Sequence, residues 1–401
     1  MTVTGSAPAV PSRDELVARA AQLVPALAKR QADVDAQRRI PDESLAELEA
    51  AGMFRLSVPR DYGGYALDLS TYVDVMAELA KGCPSTAWVT AIHNSAAAVA
   101  GIFPKDGQDE VFGTGPVSRL ASVPQGKVAS ATLVDGGVHI EHAKWFFNSG
   151  VTIADWSVNG VPVHDETGTV TDLVLCLIPT SELTRNDDWH TIGLRGTQSV
   201  STEARDLFVP EHRTLSSLAL LSRRYRSPHG LDQPLYHSAS VPTLALFVAP
   251  NGIGMAEAAL NRFTDKARGR PVMYTTIENQ AEDALVQSTV GEARMKIDAA
   301  RALMKRAAGE VDRFAAAGSE MPVDQRIRAR VHCSYALRLS WEAVDLLYSL
   351  SGGSAIAEFE PMQRYWRDAK TATMHGLFAP STALGLQGQV ELGGDLNAVF
   401  V

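Results

Sequence analysis

The chain has 401 residues, a net charge of −9 and a composition that is 45% hydrophobic and 21% charged, enough for two or three domains with an ample core. An acidic balance without clustered Lys and Arg excludes a nucleic-acid surface, and no apolar run approaches the ~20 residues of a membrane helix. Cys83, Cys176 and Cys333 are odd in number and far apart, which reads as free thiols in a reducing cytoplasm.

Met1 to Ser12 is small and polar, without the pattern of an export signal, and reads as a frayed tail. Helices follow. Ser12-Arg13-Asp14-Glu15 is a capping box that opens an Ala- and Leu-rich helix. Asp42 is placed to cap a second helix that stops at Gly52. A third runs from Leu69 to Ala80. Pro84-Ser85 opens a fourth, Thr86 to Ile102, apolar on nearly all sides and therefore buried. From about residue 118 the rhythm changes to period two, broken by turns at Val123-Pro124-Gln125-Gly126, Asp135-Gly136-Gly137 and Asp165-Glu166-Thr167-Gly168. Strands are expected over Val128 to Val134, Val138 to His142, Trp156 to Val163 and Val170 to Ile178. Arg223 to Pro234 reads as a linker. Pro242 to Ala267, Glu278 to Ala316, Val323 to Ser351 and Pro361 to Leu386 carry i, i+3, i+4 spacing, the pattern of an antiparallel bundle. The chain is thus an α+β protein with a helical domain (1–117), a β domain (118–225) and a C-terminal four-helix bundle (226–401).

Several motifs recur in this order in one known superfamily. Val58-Pro59 with Tyr62-Gly63-Gly64, Trp189 with Gly193-Leu194-Arg195-Gly196-Thr197-Gln198-Ser199, Phe208-Val209-Pro210, and Arg367-Asp368-Ala369-Lys370 resemble the acyl-CoA dehydrogenase superfamily. In its dehydrogenases RDAK is followed by EGT, whose Glu removes the substrate α-proton. Here that place holds His375 or Gly376, depending on a one-residue choice of register. Lys144-Trp145-Phe146-Phe147-Asn148-Ser149-Gly150 followed by Asp155-Trp156 is similar to the WxFSSG and DW of the branch of two-component flavin-dependent hydroxylases, with Asn148 in place of a Ser. Gly82-Cys83-Pro84-Ser85-Thr86-Ala87-Trp88 and Pro361-Met362-Gln363-Arg364 resemble the same branch.

The resemblance implies a central small β-barrel domain and reduced FAD, or alternatively FMN, delivered by a separate NAD(P)H-dependent flavin reductase. It also implies hydroxylation of an aromatic or heteroaromatic small molecule through a C4a-hydroperoxyflavin. That adduct decays once the flavin N5 proton leaves, so the protein must hold N5–H with an acceptor and keep water out. Asn148 or Ser149 supplies the acceptor, and His375 relays a proton or stabilises charge. Trp145 and Phe147 wall the isoalloxazine, Ser122 lies where the superfamily first touches its flavin, and Gly352-Gly353 approach a flavin phosphate. Arg268 or Arg270 answers the arginine that holds the pyrophosphate, often of a neighbouring subunit, which implies a homotetramer or homodimer. Trp88 and His93, on the buried helix, are candidates to orient the substrate.

Each residue also has a plainer reading. Ser122 and Ser149 serve as turn residues, His375 and His93 as satisfied core histidines, Trp88 as packing, Gly352-Gly353 as a helix terminator, and Arg268 and Arg270 as a solvated helix end. His139 and His142 fall on opposite faces of a strand, so no metal pair is expected. Gly252-Ile253-Gly254 lies in a helix and reads as close helix packing. An amine N-oxygenase, an acyl-CoA dehydrogenase and a non-catalytic scaffold are the alternatives.

Overall fold

The computed structural model describes residues 10–113, 117–165, 167–222 and 227–396. The tail at 1–9, position 166 of the Asp165–Gly168 turn and the start of the expected linker, with the boundary at 225/226, lie outside them. Helix α1 (Arg13–Gln37) begins with the expected capping box: the Glu15 N–H donates to Ser12 Oγ at 3.3 Å and the Ser12 N–H to Glu15 at 2.8 Å. In α2 (Asp42–Ala50) the N-cap is Pro41 and not Asp42. Proline's fixed φ ends the extended approach there, and Asp42 joins the first turn, where the helix dipole favours an acid. Helix α3 (Leu69–Leu79) is capped by Asp68, which accepts from the Thr71 N–H at 2.7 Å. Helix α4 (Pro84–Ala100) starts two residues earlier than expected, with Pro84 in its first turn. Helix α5 (Lys105–Phe112) was not anticipated; eight residues are too few for a periodic signature.

The middle of the chain forms two four-stranded sheets. One has the order β1 (Leu120–Val123), β4 (Trp156–His164), β5 (Val170–Pro179), β8 (Thr214–Ser216); the other has β2 (Val128–Val134), β3 (Gly137–Trp145), β7 (Thr202–Pro210), β6 (Thr184–Arg185). Only the β1–β4 pair is parallel among the described strands. The sheets share a core of Ala131, Val138, Ile140, Trp145, Val161, Val174, Ile178 and Val209. The four expected strands are present and β2 has the expected ends. Strand β7 escaped because Arg205-Asp206 breaks its alternation, and Asp206 sits at φ +50°. Strands β1, β6 and β8 are too short to show a period.

After α6 (Ser217–Leu221) come α7 (Ser240–Val248), α8 (Pro250–Ala267), α9 (Ala284–Ala316), α10 (Val323–Leu350), α11 (Pro361–Thr373) and α12 (Pro380–Glu391). The expected helix from Pro242 is divided at Pro250, which lacks the N–H the helix ladder needs. The expected single helix from Pro361 to Leu386 is two, α11 and α12, with Pro380 opening the second. Helix α10 packs against α8, α9, α11 and α12. Ser240–Ala267 is long and apolar enough to span a membrane by length and composition, but 83% of its apolar window is buried within the protein. Burial within the protein accounts for the apolar character of the run. A Cβ on Gly254 would lie 2.6 Å from that of Ala80, so helix α8 needs glycine there to approach the end of α3. One continuous core joins the N-terminal helices to the bundle, while the sandwich keeps its own.

Candidate active site

The three parts of the chain meet at the loop 189–199. Gly193 and Gly196 lie where a Cβ would strike the Arg367 carbonyl and Val34, so only glycine lets this loop lie flat between α11, α1 and α4. Its backbone is fastened to α11: the Leu194 N–H donates to Asp368 Oδ1 at 2.6 Å, and Arg367 donates to the Ile192 carbonyl and, at 3.0 Å, to Asp35. Leu194 and Gln198 adopt positive φ of 50° and 42°. Strain of this kind persists only where the surroundings over-determine it.

Asp368 is 2% exposed. Desolvation raises its carboxyl to about 7, partly opposed by the bond from Leu194. A folded-state value above the unfolded one means that the folded protein holds this proton more tightly. Stability is therefore lost as pH rises from about 4 to about 7 and stays lower above. Asp368→Asn keeps the acceptor oxygen without the charge. Its expected effect is a rise in Tm of several degrees at pH 8 and a smaller one at pH 5, read by scanning fluorimetry. An equal change at both values would count against this account.

Against the loop lies the end of β3. Trp145 is fully buried, and its indole N–H donates to the Gly160 carbonyl at 2.8 Å. It belongs to the sandwich core and cannot wall a ligand, which corrects its expected role. Phe147 is 63% exposed at φ +64°, its ring 6.0 Å from that of Trp189. An exposed aromatic held in a strained conformation is a candidate contact for a planar ligand. The same backbone reversal turns Asn148 inward. Asn148 has no exposure, its amide N–H groups donate to Ser157 at 3.1 Å and Thr202 at 3.2 Å, and its buried Oδ1 has no partner among the described residues. It buttresses the sandwich and cannot reach a ligand, which corrects its expected role as the N5 acceptor. Ser149 faces the loop, with Oγ 2.6 Å from Ser199 Oγ. Gly150, at φ +72°, presses on α4: a Cβ there would lie 2.7 Å from Val89 Cγ1.

Next to Val89, Trp88 meets His375 edge to face, ring centroids 5.8 Å apart. His375 and the Ser149-Gly150 segment thus pack on neighbouring residues of α4, although 226 positions separate His375 from Ser149 (375 − 149). His375 is half-buried, with Nδ1 accepting from the Leu377 N–H at 3.3 Å, which leaves the proton on Nε2. Desolvation lowers its pKa to about 4, so the ring is neutral at pH 7. His93 is different. It is 2% exposed, with Nε2 bonded to the Phe54 carbonyl at 2.8 Å and Nδ1 accepting from the Leu120 N–H at 2.9 Å. Both nitrogens are occupied in joining α4 to β1 and to the Phe54 segment after α2, so the expected substrate role is corrected to a structural one. Further along α4, Ser95 and Val99, with Ile102 just past its end, open on an apolar cleft closed by Leu235, Tyr236 and Phe247.

Ser122 lies within β1, opposite Val158 of β4, and not in a turn. Arg270 and Gly352, far apart in sequence, come together: Arg270 Nη1 donates to the Ser351 carbonyl at 2.6 Å, and a Cβ on Gly352 would lie 2.5 Å from its Nη2. Arg262, Lys266 and Glu360 line the same pocket, beside Ser354. Gly353 opens the short 3-10 turn that follows, and Arg268 is an exposed helix end. This basic cluster borders the N-terminal end of α11, about 20 Å along the helix from the His375 end. His139 pairs with Asp206 and His142 approaches Glu203, and the described residues hold no group of three or more metal-ligating side chains.

The residues fit a flavin. Phe147 and Trp189 offer an aromatic surface for a planar ring and Ser149 an oxygen nearby; at the far end of α11 Arg270 offers a cation for phosphate, while Arg262 and Lys266 are paired with Glu360. Trp189, Thr197 and Ser199 were legible only as motif letters; nothing in their spacing tells which way a loop side chain points.

Residues 13–111 match the N-terminal domain, and residues 246–380 the C-terminal domain, of acyl-CoA dehydrogenase. The chain is 33% identical over 390 residues to the flavin-dependent monooxygenase oxygenase subunit HsaA of Rhodococcus jostii (strain RHA1), covering 92% of this chain and 96% of that protein. It is 28% identical over 370 residues to the oxygenase component of the FADH(2)-dependent resorcinol hydroxylase of Rhizobium sp. (strain MTP-10005), covering 90% of each. XiaF from Streptomyces sp., solved in complex with FADH2 and glycerol, superposes with a TM-score of 0.89 at 30% identity, over 97% of this chain and 98% of that one.

Proposed function

The chain belongs to the acyl-CoA dehydrogenase superfamily, in its branch of flavin-dependent monooxygenase oxygenase subunits, and from that premise we propose how its residues divide the work. It is the oxygenase component of a two-component system that hydroxylates an aromatic molecule with reduced flavin supplied by a separate reductase. The observation that carries the assignment of roles is that His375 packs on Trp88 while Gly150, next to Ser149, packs on Val89, which sets a neutral imidazole and the Ser149 segment on one turn of α4.

When bound, reduced flavin activates O2 and supplies the oxygen atom that enters the ring. Ser149 Oγ accepts a hydrogen bond at the flavin edge. His375, with its proton on Nε2, donates to the reacting oxygen or to the substrate hydroxyl. Phe147 and Trp189 cover the ring system and exclude water, without which the activated oxygen is lost as peroxide. The substrate lies along α4 from Trp88 toward Ser95 and Val99, where the apolar lining favours an aromatic body. Arg270 and Gly352, at the far end of α11, serve the phosphate groups of a flavin held chiefly by a neighbouring copy, which makes the working unit a homodimer or homotetramer. Burial of Cys83, Cys176 and Cys333 as free thiols supports a reducing cytoplasm as its compartment.

The test is anaerobic protein with reduced FAD or FMN, mixed with oxygenated buffer containing phenols or indoles. The expected result is hydroxylated product accompanied by flavin oxidation. Conversion of all the oxygen to hydrogen peroxide with every substrate, together with reduction of an artificial acceptor by acyl-CoA, would favour a dehydrogenase.

A further inference from the structure

Behind Ser149 a row of three hydroxyls runs into the loop: Ser149, Ser199 and Thr197, at 7%, 4% and 1% exposure. It ends on a backbone carbonyl. The Thr197 hydroxyl donates to the Leu194 carbonyl at 2.8 Å, and a carbonyl oxygen can only accept. That bond takes the one proton Thr197 has. Ser199 Oγ lies 2.6 Å from Thr197 Oγ1, so the proton between them belongs to Ser199. Ser149 Oγ lies 2.6 Å from Ser199 Oγ, so the proton there belongs to Ser149. Every hydroxyl points inward, and what Ser149 presents to the site is lone pairs alone.

We infer that this row is a redox-state filter for the cofactor: it fixes Ser149 as an acceptor, so that the site prefers reduced flavin, whose N5 carries a proton, over oxidised flavin, whose N5 carries none. Thr197 and Ser199 are positioning residues that act through Ser149. The inference rests on the functional reading above, in which Ser149 meets the flavin edge. Oxidised flavin needs a donor at this place, and Ser149 supplies one only if all three hydroxyls reverse. Reversal takes the Thr197 proton away from the Leu194 carbonyl, which keeps the Trp189 indole N–H and the Thr197 N–H, each at 3.1 Å. The loss is one hydrogen bond, corresponding to roughly a 2- to 10-fold preference for the reduced form from this row alone. The neighbouring network does not short-circuit it. The Asn148 amide bonds Ser157 and Thr202, and the Thr152 hydroxyl is taken by Gln198 at 2.6 Å.

The preference has a consequence for a two-component system. The oxygenase must take reduced flavin from solution and give up oxidised flavin after turnover, and an acceptor fixed by buried bonds does both without any movement of the backbone.

The experiment measures dissociation constants for oxidised flavin and, anaerobically, for reduced flavin, in the wild type, Thr197→Val, Thr197→Ser and the pairs with Ser149→Ala. Valine matches threonine in shape but has no proton to anchor the row. The expected result is a ratio of oxidised to reduced constants that falls about 2- to 10-fold in Thr197→Val and returns in Thr197→Ser. In the Ser149→Ala background, Thr197→Val is expected to leave the ratio unchanged, since the row then has no outlet. A Thr197→Val protein in which both constants shift by the same factor has lost packing only, and overturns the filter while leaving the functional reading intact. Failure of the wild type to bind reduced flavin at all overturns the functional reading, and the filter with it.

Discussion

His375→Ala lowers the kcat/KM for hydroxylation by about 10²- to 10³-fold, the range typical of a positioned general acid or base. His375 has its Nδ1 engaged by the Leu377 N–H and its ring against Trp88 and Phe378, so the proton it can donate is the one on Nε2. The variant is expected to bind reduced flavin nearly as the wild type does, because the ring contributes a donor at the reacting atoms and little to the scaffold. Two controls separate chemistry from damage. Far-ultraviolet circular dichroism is unchanged, and the constant for reduced flavin moves by less than about threefold, within a single modest contact. A wild-type rate that is flat from pH 6 to 9 as far as this histidine is concerned follows from its low pKa of about 4. A full loss of the rate as pH falls through 6.5, absent in the variant, would show that the ring titrates normally and that its surroundings are wetter than described.

Ser149→Ala produces the second large effect, and of a different kind. Flavin oxidation continues but uncouples: product formed per flavin oxidised drops by about 5- to 50-fold, and hydrogen peroxide accounts for the difference. The size follows from removal of one desolvated hydrogen bond that the bound state cannot replace. The measurement is product by chromatography against peroxide by a coupled assay in the same reaction. Coupling that stays at the wild-type level would assign the acceptor elsewhere, and Asn148, whose Oδ1 has no partner among the described residues but has no exposure, would be the first to substitute.

Much of the fold is legible in the chain because local chemistry agrees with the final structure. The capping box at Ser12 closes as written, β2 runs between its expected ends, and Gly254 sits where two helices touch. The errors have physical causes. Proline residues at 41, 250 and 380 moved or divided helices whose apolar period runs on through them. Strands of two to four residues carry no period. Strand β7 has charged residues where alternation would put apolar ones, because one of its faces meets water.

The candidate site divides in the same way. Sequence alone determined which residue types are present and in which segments: a histidine at 375, at or beside the place where dehydrogenases carry a carboxylate, hydroxyls at 149, 197 and 199, and glycines at 193 and 196. These follow from motif order, which the chain carries directly. Only the tertiary structure decided which way they face. Trp145, Phe147, Asn148 and Ser149 lie within five residues, and the positive φ at Phe147 sends the first and third inward and leaves the second and fourth at the site. His93, within α4, and His375, just past the end of α11, both have low pKa values of about 4, yet one has both nitrogens bonded to backbone and the other has no partner on Nε2 among the described residues. A side chain's direction depends on the backbone angle at its neighbours and on partners hundreds of positions away, and neither is written in a local pattern.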